Sequence, residues 1–387
     1  MDNGREIHSM KISDCYRLPW TELDNPNGWI EPTTLCNIAC PGCYRGIDRP
    51  EHRPKHLGLA ELKSQIDWFK TKRNVHTISI AGGEPLMYPQ IIELIEYAVG
   101  KNLRTMLYTN GVLLDAEMAE KLAAAGLTQV VVHTDRFQSR PDLKKDESHI
   151  KLREKYVEIV RNFPALRLGF IQPISADCNG ELLTVMDFLE KNIDVVNLMV
   201  FTLYRNICWT ESCSKELNTD ITVQNLIDNI RKGYEYVPAA YLPATGNPSE
   251  FAWLFAQRVG LPGKIFGYFS PSFYAFAHKR YRRKSGRHLF ISRINSIQVS
   301  SLAQFVLRKS VRKIVFNYLK YRKTNKEIEK NKLFFQTLLI IRGPEKRSGK
   351  WDLCNGCPDR MIYNGKLVPS CILEDLRGKD LADYNNL

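Results

Sequence analysis

No apolar run in this chain approaches the ~20 residues needed to cross a bilayer. The opening stretch, MDNGREIHSMKISDCYRLPW, also lacks the apolar core of a signal peptide, so a cytoplasmic location is expected. Neither a repeat of solenoid period nor a low-complexity tract is present, which excludes repeat arrays. What remains is an ordinary globular composition, 387 residues with 44% hydrophobic and 25% charged. Single cores stop growing at roughly 250–300 residues, so a main domain with an appendage is expected. Acidic residues are nearly missing from Pro271 to Lys350, where three (Glu327, Glu329, Glu345) face 21 Lys or Arg. That segment's net +18 exceeds the +13 of the whole chain. In a reducing compartment, tight cysteine clusters hold metal more often than disulfides.

From about residue 28 to residue 204, short apolar runs alternate with amphipathic stretches of helical length. This is the pattern of repeated βα units around a parallel sheet. Six strands are expected, GWIEPTT, HTISIAG, LRTMLYT, TQVVVHT, LRLGFIQPI and VVNLMVFTL, with helices between them and another, TVQNLIDNIRKG, after the sixth. Such sheets carry their chemistry at the carboxyl ends of the strands. There the chain has Cys36 to Cys43, GGEP, TNG, HTD, QPIS and TLYRN.

Cys36, Cys40 and Cys43 follow the first strand in a C-x3-C-x2-C loop. Three soft thiolates suit three irons of a [4Fe-4S] cubane and leave the fourth iron without a protein ligand. A zinc ion would need a fourth ligand, for which Cys15 or His52 could fold back. Ala81-Gly82-Gly83-Glu84-Pro85 follows the second strand; its glycine pair permits close backbone approach, and Glu84 offers a carboxylate.

Together the loop and the GGEP segment, on successive strands, resemble the radical S-adenosylmethionine (SAM) superfamily over roughly residues 28 to 204. The resemblance implies a partial (β/α)6 barrel of α/β class. It also implies that Cys36, Cys40 and Cys43 are cluster ligands and that Gly82, Gly83, Glu84 and Pro85 contact the methionyl amine of SAM. The aromatic residue that members carry before the third cysteine is here Gly42, and Tyr44 is the substitute candidate for the adenine contact. The implied reaction is reductive cleavage of SAM to a 5′-deoxyadenosyl radical that takes a hydrogen atom from substrate. An external flavodoxin- or ferredoxin-like protein would supply the electron. Asn110 in the TNG segment and His133, Asp135 and Arg136 after the fourth strand are candidate SAM or substrate contacts, Asp135 and Arg136 as catalytic candidates. A helix-capping turn and a hydrogen-bond network are the structural alternatives. Gln172 and Ser175 are weaker candidates. Cys178, Cys208 and Cys213 read as small hydrophobes or as ligands to a second cluster.

Near the C-terminus, CNGCPDRMIYNGKLVPSC sets Cys354, Cys357 and Cys371 around a hairpin-like segment with Gly365. It resembles the auxiliary-cluster extensions called SPASM and twitch domains, which implies an auxiliary iron–sulfur cluster; a structural zinc knuckle is the alternative. Residues 300 to 323 fit one basic amphipathic helix, with Leu307, Val311, Ile314, Val315 and Tyr318 on one stripe. It could show a solvated face, lie on an anionic membrane, or meet nucleic acid, the last being less expected. The aromatic stretch before it, with Phe266, Tyr268, Phe269, Phe273, Tyr274 and Phe276, offers an apolar substrate path. The expected organisation is a lead-in (1–27), a barrel (28–235), an aromatic and basic insertion with an amphipathic helix (236–350), irregular from about Tyr236 to Phe290, and a small C-terminal metal-binding extension (351–387). The expected function is hydrogen abstraction from a lipid-like or anionic substrate near a membrane. The rivals are a peptide-modifying maturase, for which about 27 leading residues leave little room for a leader-binding domain, and a zinc protein that binds nucleic acid.

Overall fold

The computed structural model describes residues 11–41, 43–47, 52–135, 138–143, 149–204, 221–290, 296–325 and 332–377. The strands in chain order are β1 (Tyr16–Arg17), β2 (Asn27–Thr33), β3 (Thr77–Gly82), β4 (Arg104–Thr109), β5 (Gln129–His133), β6 (Arg167–Ile174), β7 (Val196–Leu203), β8 (Pro238–Pro243), β9 (Phe251–Leu261), β10 (Lys264–Tyr268), β11 (Ser296–Gln298), β12 (Lys332–Ile341), β13 (Glu345–Arg347), β14 (Lys350–Asp352), β15 (Arg360–Tyr363) and β16 (Lys366–Pro369). The helices are α1 (Leu59–Lys72), α2 (Ile91–Gly100), α3 (Ala116–Ala124), α4 (His149–Arg161), α5 (Leu182–Lys191), α6 (Val223–Arg231), α7 (Pro271–Ser285), α8 (Val299–Ala303), α9 (Lys309–Thr324) and α10 (Leu373–Leu376).

The six expected strands are β2 to β7, side by side, parallel and in chain order, with α1 to α5 in the crossovers. Successive side chains point to opposite faces. Val130, Val132, Phe170 and Phe201 pack outward with helix residues Leu122, Tyr156 and Leu189, while Val131, Leu198 and Val200 form a separate inner cluster with Leu339. Covering both faces is what turns these strands into near-continuous apolar runs.

The sheet does not stop at β7. β12 pairs parallel with it, β9 runs antiparallel to β12, β8 antiparallel to β9, and β1 parallel to β8. The stretch expected as an aromatic and basic insertion thus contributes β8 to β12 to the same sheet, with β8 to β10 in the part expected to be irregular. Its pattern was hidden because β9 is apolar on both faces: Trp253 and Phe255 enter the inner cluster, Leu254 and Ala256 the outer core.

The basic helix is two helices. α8 ends at Ala303 and α9 begins at Lys309; between them Phe305 wedges against the rings of Phe273 and Phe276, at centroid distances of 6.0 and 5.9 Å. Leu307 therefore leaves the expected stripe and is 91% exposed, while Val311, Ile314, Val315 and Tyr318 bury against Phe266, Phe269 and Phe273. The aromatic stretch is spent the same way, as core between α7, α9 and the sheet. At the C-terminus β15 and β16 form the expected hairpin; Asn364 and Gly365 both take positive φ, 47° and 73°, as a tight two-residue turn requires.

α7 is anchored by three buried histidines. His278 Nε2 meets His288 Nδ1 at 3.0 Å, His76 Nε2 donates to the His288 carbonyl at 2.7 Å, and Arg104 donates to His76 Nδ1 at 2.6 Å. Asp24 faces His288 at 3.2 Å and pairs with Arg282. Burial and the Arg104 charge hold His76 down at about 3, and burial with His288 and Arg282 holds His278 at about 4. The unfolded chain takes up protons first, so stability is complete above the ordinary histidine pKa of ~6.5 and falls as pH drops towards these folded values. Between about pH 7.5 and about pH 5, His278→Gln should spare about 2 kcal/mol of that loss in urea unfolding. An equal loss in parent and variant would count against this assignment.

Candidate active site

The cysteine loop leaves β2 against the end of β3. Gly83 N donates to Thr33 O at 2.9 Å and Glu84 N to Leu35 O at 2.7 Å. A Cβ on Gly82 would stand 2.4 Å from Thr33 O, and one on Gly83 2.2 Å from Leu35 O. The glycine pair is thus required by the approach of the cysteine loop itself, whatever ligand it also meets.

Glu84 is fully buried. Its carboxylate accepts from Leu86 N (3.0 Å), Thr109 Oγ1 (2.7 Å) and Asn110 N (2.7 Å). Burial raises its pKa, and these hydrogen bonds act in the opposite direction. The carboxylate therefore knots GGEP to TNG, and neither Glu84 nor Pro85 lines the cavity described next. Asn110 Nδ2 reaches back to Asn37 Oδ1 at 2.7 Å and to Cys36 Sγ at 3.7 Å. Arg140, unremarked in the sequence, fixes this turn by donating to the Asn110 carbonyl and to Tyr156 OH, which itself donates to the Gly111 carbonyl.

A cavity of about 390 Å³ opens inside the barrel mouth. It brings together Cys36, Cys40, Cys43, Tyr44, Gly82, Gly83, Asn110, His133 and Asp135, and on another part of its wall Cys354, Cys357 and Cys371. His133 Nε2 lies 2.5 Å from Asp135 Oδ2, so a buried carboxylate orients an imidazole that is half exposed to the cavity. Arg136, Cys208 and Cys213 lie outside the described residues. Gln172 and Ser175 are buried off the cavity, Gln172 accepting from Arg153 at 2.7 Å. Cys15 and His52, the two possible additional zinc ligands, also lie off it; His52 Nε2 is engaged with Thr34 O at 3.0 Å.

The donor chemistry fits iron and sulfide: three thiols on one loop, beside a glycine cradle and an amide aimed at one sulfur. Burial raises the Cys36 thiol and pushes Cys40 up to about 12, so binding there releases protons. Among the described residues, no three His, Cys, Asp or Glu side chains close on a single-ion cage.

The second trio is held by residues that no sequence pattern announced. Arg73, at the end of α1, is fully buried and donates to the carbonyls of Glu22 (2.8 Å), Asn27 (2.6 Å), Cys357 (2.6 Å) and Pro358 (3.0 Å). Asn25 Nδ2 donates to Gly356 O at 3.0 Å. Arg45, two residues after Cys43, is buried between Glu31 (2.6 Å) and Glu374 (3.3 Å). The Cys354 S–H donates to Cys357, which holds the Cys357 pKa down and raises that of Cys354.

The sequence pattern of the Radical SAM superfamily matches residues 30–168. A "Probable GTP 3′,8-cyclase" of Methanocaldococcus jannaschii is 28% identical over 250 residues, 59% of this chain and 73% of that protein. An "AdoMet-dependent heme synthase" of Nitratidesulfovibrio vulgaris is 35% identical over 105 residues, 27% of this chain and 28% of that one. The chain thus spans most of the first relative and about a quarter of the second. Among solved structures, Streptococcus suis SuiB bound to S-adenosylmethionine aligns with a TM-score of 0.40 at 17% identity, covering 50% of this chain and 44% of that one.

Removing the charge of Arg45 would leave the buried Glu31 without its counter-charge and Glu374 with Arg377 alone. Arg45→Met should destabilise the protein by about 3–5 kcal/mol in urea unfolding and expose the segment from residue 351 to proteolysis first. A loss below about 1 kcal/mol, the range of a surface pair, would contradict the clamp.

Proposed function

Because residues 30–168 make this chain a member of the radical SAM superfamily, we propose that it takes a hydrogen atom from an uncharged, largely apolar substrate group seated in the barrel cavity, with Cys36, Cys40 and Cys43 holding the [4Fe-4S] cluster. When bound, cluster and SAM supply a one-electron cleavage that delivers a carbon-centred radical. The rest falls to the protein. The Asn110 amide orients the Cys36 side, His133 steadied by Asp135 offers a hydrogen bond to a ribose or substrate hydroxyl, and the Tyr44 ring offers a face to the adenine. Trp29, Val131, Ile171, Val200, Trp253 and Leu339 line the space and exclude water, which protects a radical from quenching.

The observation that carries the substrate class is charge. Among the described residues lining the cavity none is Lys or Arg. A polyphosphate or polyanionic substrate lodged there would find no guanidinium or ammonium partner among those described residues. An apolar bound group is therefore favoured over an anionic one, and the basic excess of the 271–350 segment lies outside the described cavity lining.

That excess supports a second reading, contact with an anionic membrane surface. The outer face of α9 shows Phe316 (65% exposed) and Leu319 (46%) among Arg312, Lys313, Lys320 and Lys323, and Leu307 is exposed two residues before the helix begins. Exposed apolar side chains within a basic field are the pattern of interfacial docking. It differs from the expected stripe, which is buried.

Anaerobically reconstituted protein with SAM and dithionite should release 5′-deoxyadenosine. Cys36→Ala should reduce that by at least about 100-fold, the scale of losing a group the chemistry requires. Zinc without iron, and no 5′-deoxyadenosine, would contradict the reading. In flotation assays the parent should bind phosphatidylglycerol vesicles but not phosphatidylcholine ones, and Phe316→Ser with Leu319→Ser should weaken binding about tenfold or more. Equal binding to both lipids, or salt-sensitive binding to RNA alone, would remove the membrane reading.

A further inference from the structure

Asp359 was not singled out by any motif, yet the fold sets it at the second cysteine site. It stands at the base of the β15–β16 hairpin, two residues after Cys357, and its carbonyl accepts from Ser370 N at 3.0 Å. That closure brings Cys371 back beside the Cys354–Cys357 turn. The hairpin thus converts a sequence separation of twelve residues between Asp359 and Cys371 into adjacency. Asp359 lines the cavity together with all three cysteines.

Its surroundings do not explain a carboxylate as a structural group. Asn27 Nδ2 approaches Oδ1 at 3.3 Å, a long hydrogen bond. Arg73, whose charge reaches Asp359, spends its guanidinium on four backbone carbonyls. Arg360 reaches Glu22 at 3.2 Å and the Leu367 carbonyl at 3.2 Å. A carboxylate set among three thiols is costly for the protein alone. An iron–sulfur cluster whose separate irons each take one of the four groups removes that cost, since thiolate and carboxylate are both anionic ligands.

We propose that Asp359 supplies the fourth ligand, through oxygen, to the metal centre held by Cys354, Cys357 and Cys371. The assignment rests on those three cysteines holding a metal, and it closes a coordination position that three cysteines leave open. The centre then has no free iron for substrate and serves electron transfer from within the cavity wall. Asn27, donating to the same carboxylate, orients the ligand, as partners of coordinating carboxylates do.

The test uses the full chain with Cys36, Cys40 and Cys43 replaced by Ala, so that iron reports the second site alone. The variants are Asp359→Asn, which keeps shape and hydrogen bonding while removing the anionic ligand, and Asp359→Cys, which restores one. After anaerobic reconstitution the parent should hold four irons per chain. Asp359→Asn should drop to about three, with the EPR signal of a three-iron cluster on mild oxidation and a raised reduction potential; Asp359→Cys should return to four. Unchanged iron content, EPR signal and potential in Asp359→Asn would overturn the assignment. Should the parent instead load zinc, the iron–sulfur reading of this site falls. The ligand assignment, which places Asp359 on the fourth of four irons, falls with it.

Discussion

Arg45 is the interaction on which the arrangement depends. Its guanidinium is buried between Glu31 on β2 and Glu374 in α10, and Glu31 in turn accepts from Trp29 Nε1 at 2.9 Å. One side chain therefore joins the cysteine loop, the first barrel strand and the C-terminal segment. A buried ion pair gives little net stability compared with an apolar replacement of the same shape, because both partners lose water. What it supplies is register. The two cysteine trios lie 311 residues apart in sequence, from Cys43 to Cys354, and face one cavity.

Around that tie the site is built in layers. Glu84 makes the turns after β3 and β4 one hydrogen-bonded body. Gly82 and Gly83 let the cysteine loop lie on that body, and Arg140 with Tyr156 braces it from the neighbouring loop and α4. Arg73 does for the second trio what Glu84 does for the first, with the signs reversed: a buried cation collects carbonyls where a buried anion collects donors. Trp29, Ala81, Met361, Val368, Ile372 and Leu373 then pack the extension onto the barrel. The radical chemistry proposed here needs such rigidity, since a reactive carbon must meet one substrate C–H in a space closed to water.

Much of this was legible in the sequence. The β2 to β7 repeat, the cysteine loop, and the Asn364-Gly365 hairpin follow from local periodicity and turn chemistry, which need no knowledge of distant partners. The sheet extension did not, because β12 inserts between β7 and β9 out of chain order, and strand neighbours of that kind leave no local trace. The basic helix was misread through Leu307, whose spacing fits a stripe that the wedge of Phe305 interrupts. Lone buried arginines such as Arg45 and Arg73 are equally silent: their role lies in what surrounds them. Glu84 was noticed, but as a ligand-facing group, whereas its carboxylate turns inward to backbone and threonine donors.

The central claim, that Cys36, Cys40 and Cys43 leave one iron open to SAM inside this cavity, is tested most directly by the EPR spectrum of the reduced cluster. The protein would carry Ala in place of Cys354, Cys357 and Cys371, and spectra would be recorded before and after SAM is added. The account predicts a four-iron signal whose g-values shift on SAM addition. A spectrum indifferent to SAM, or protein holding zinc and no iron, would contradict it.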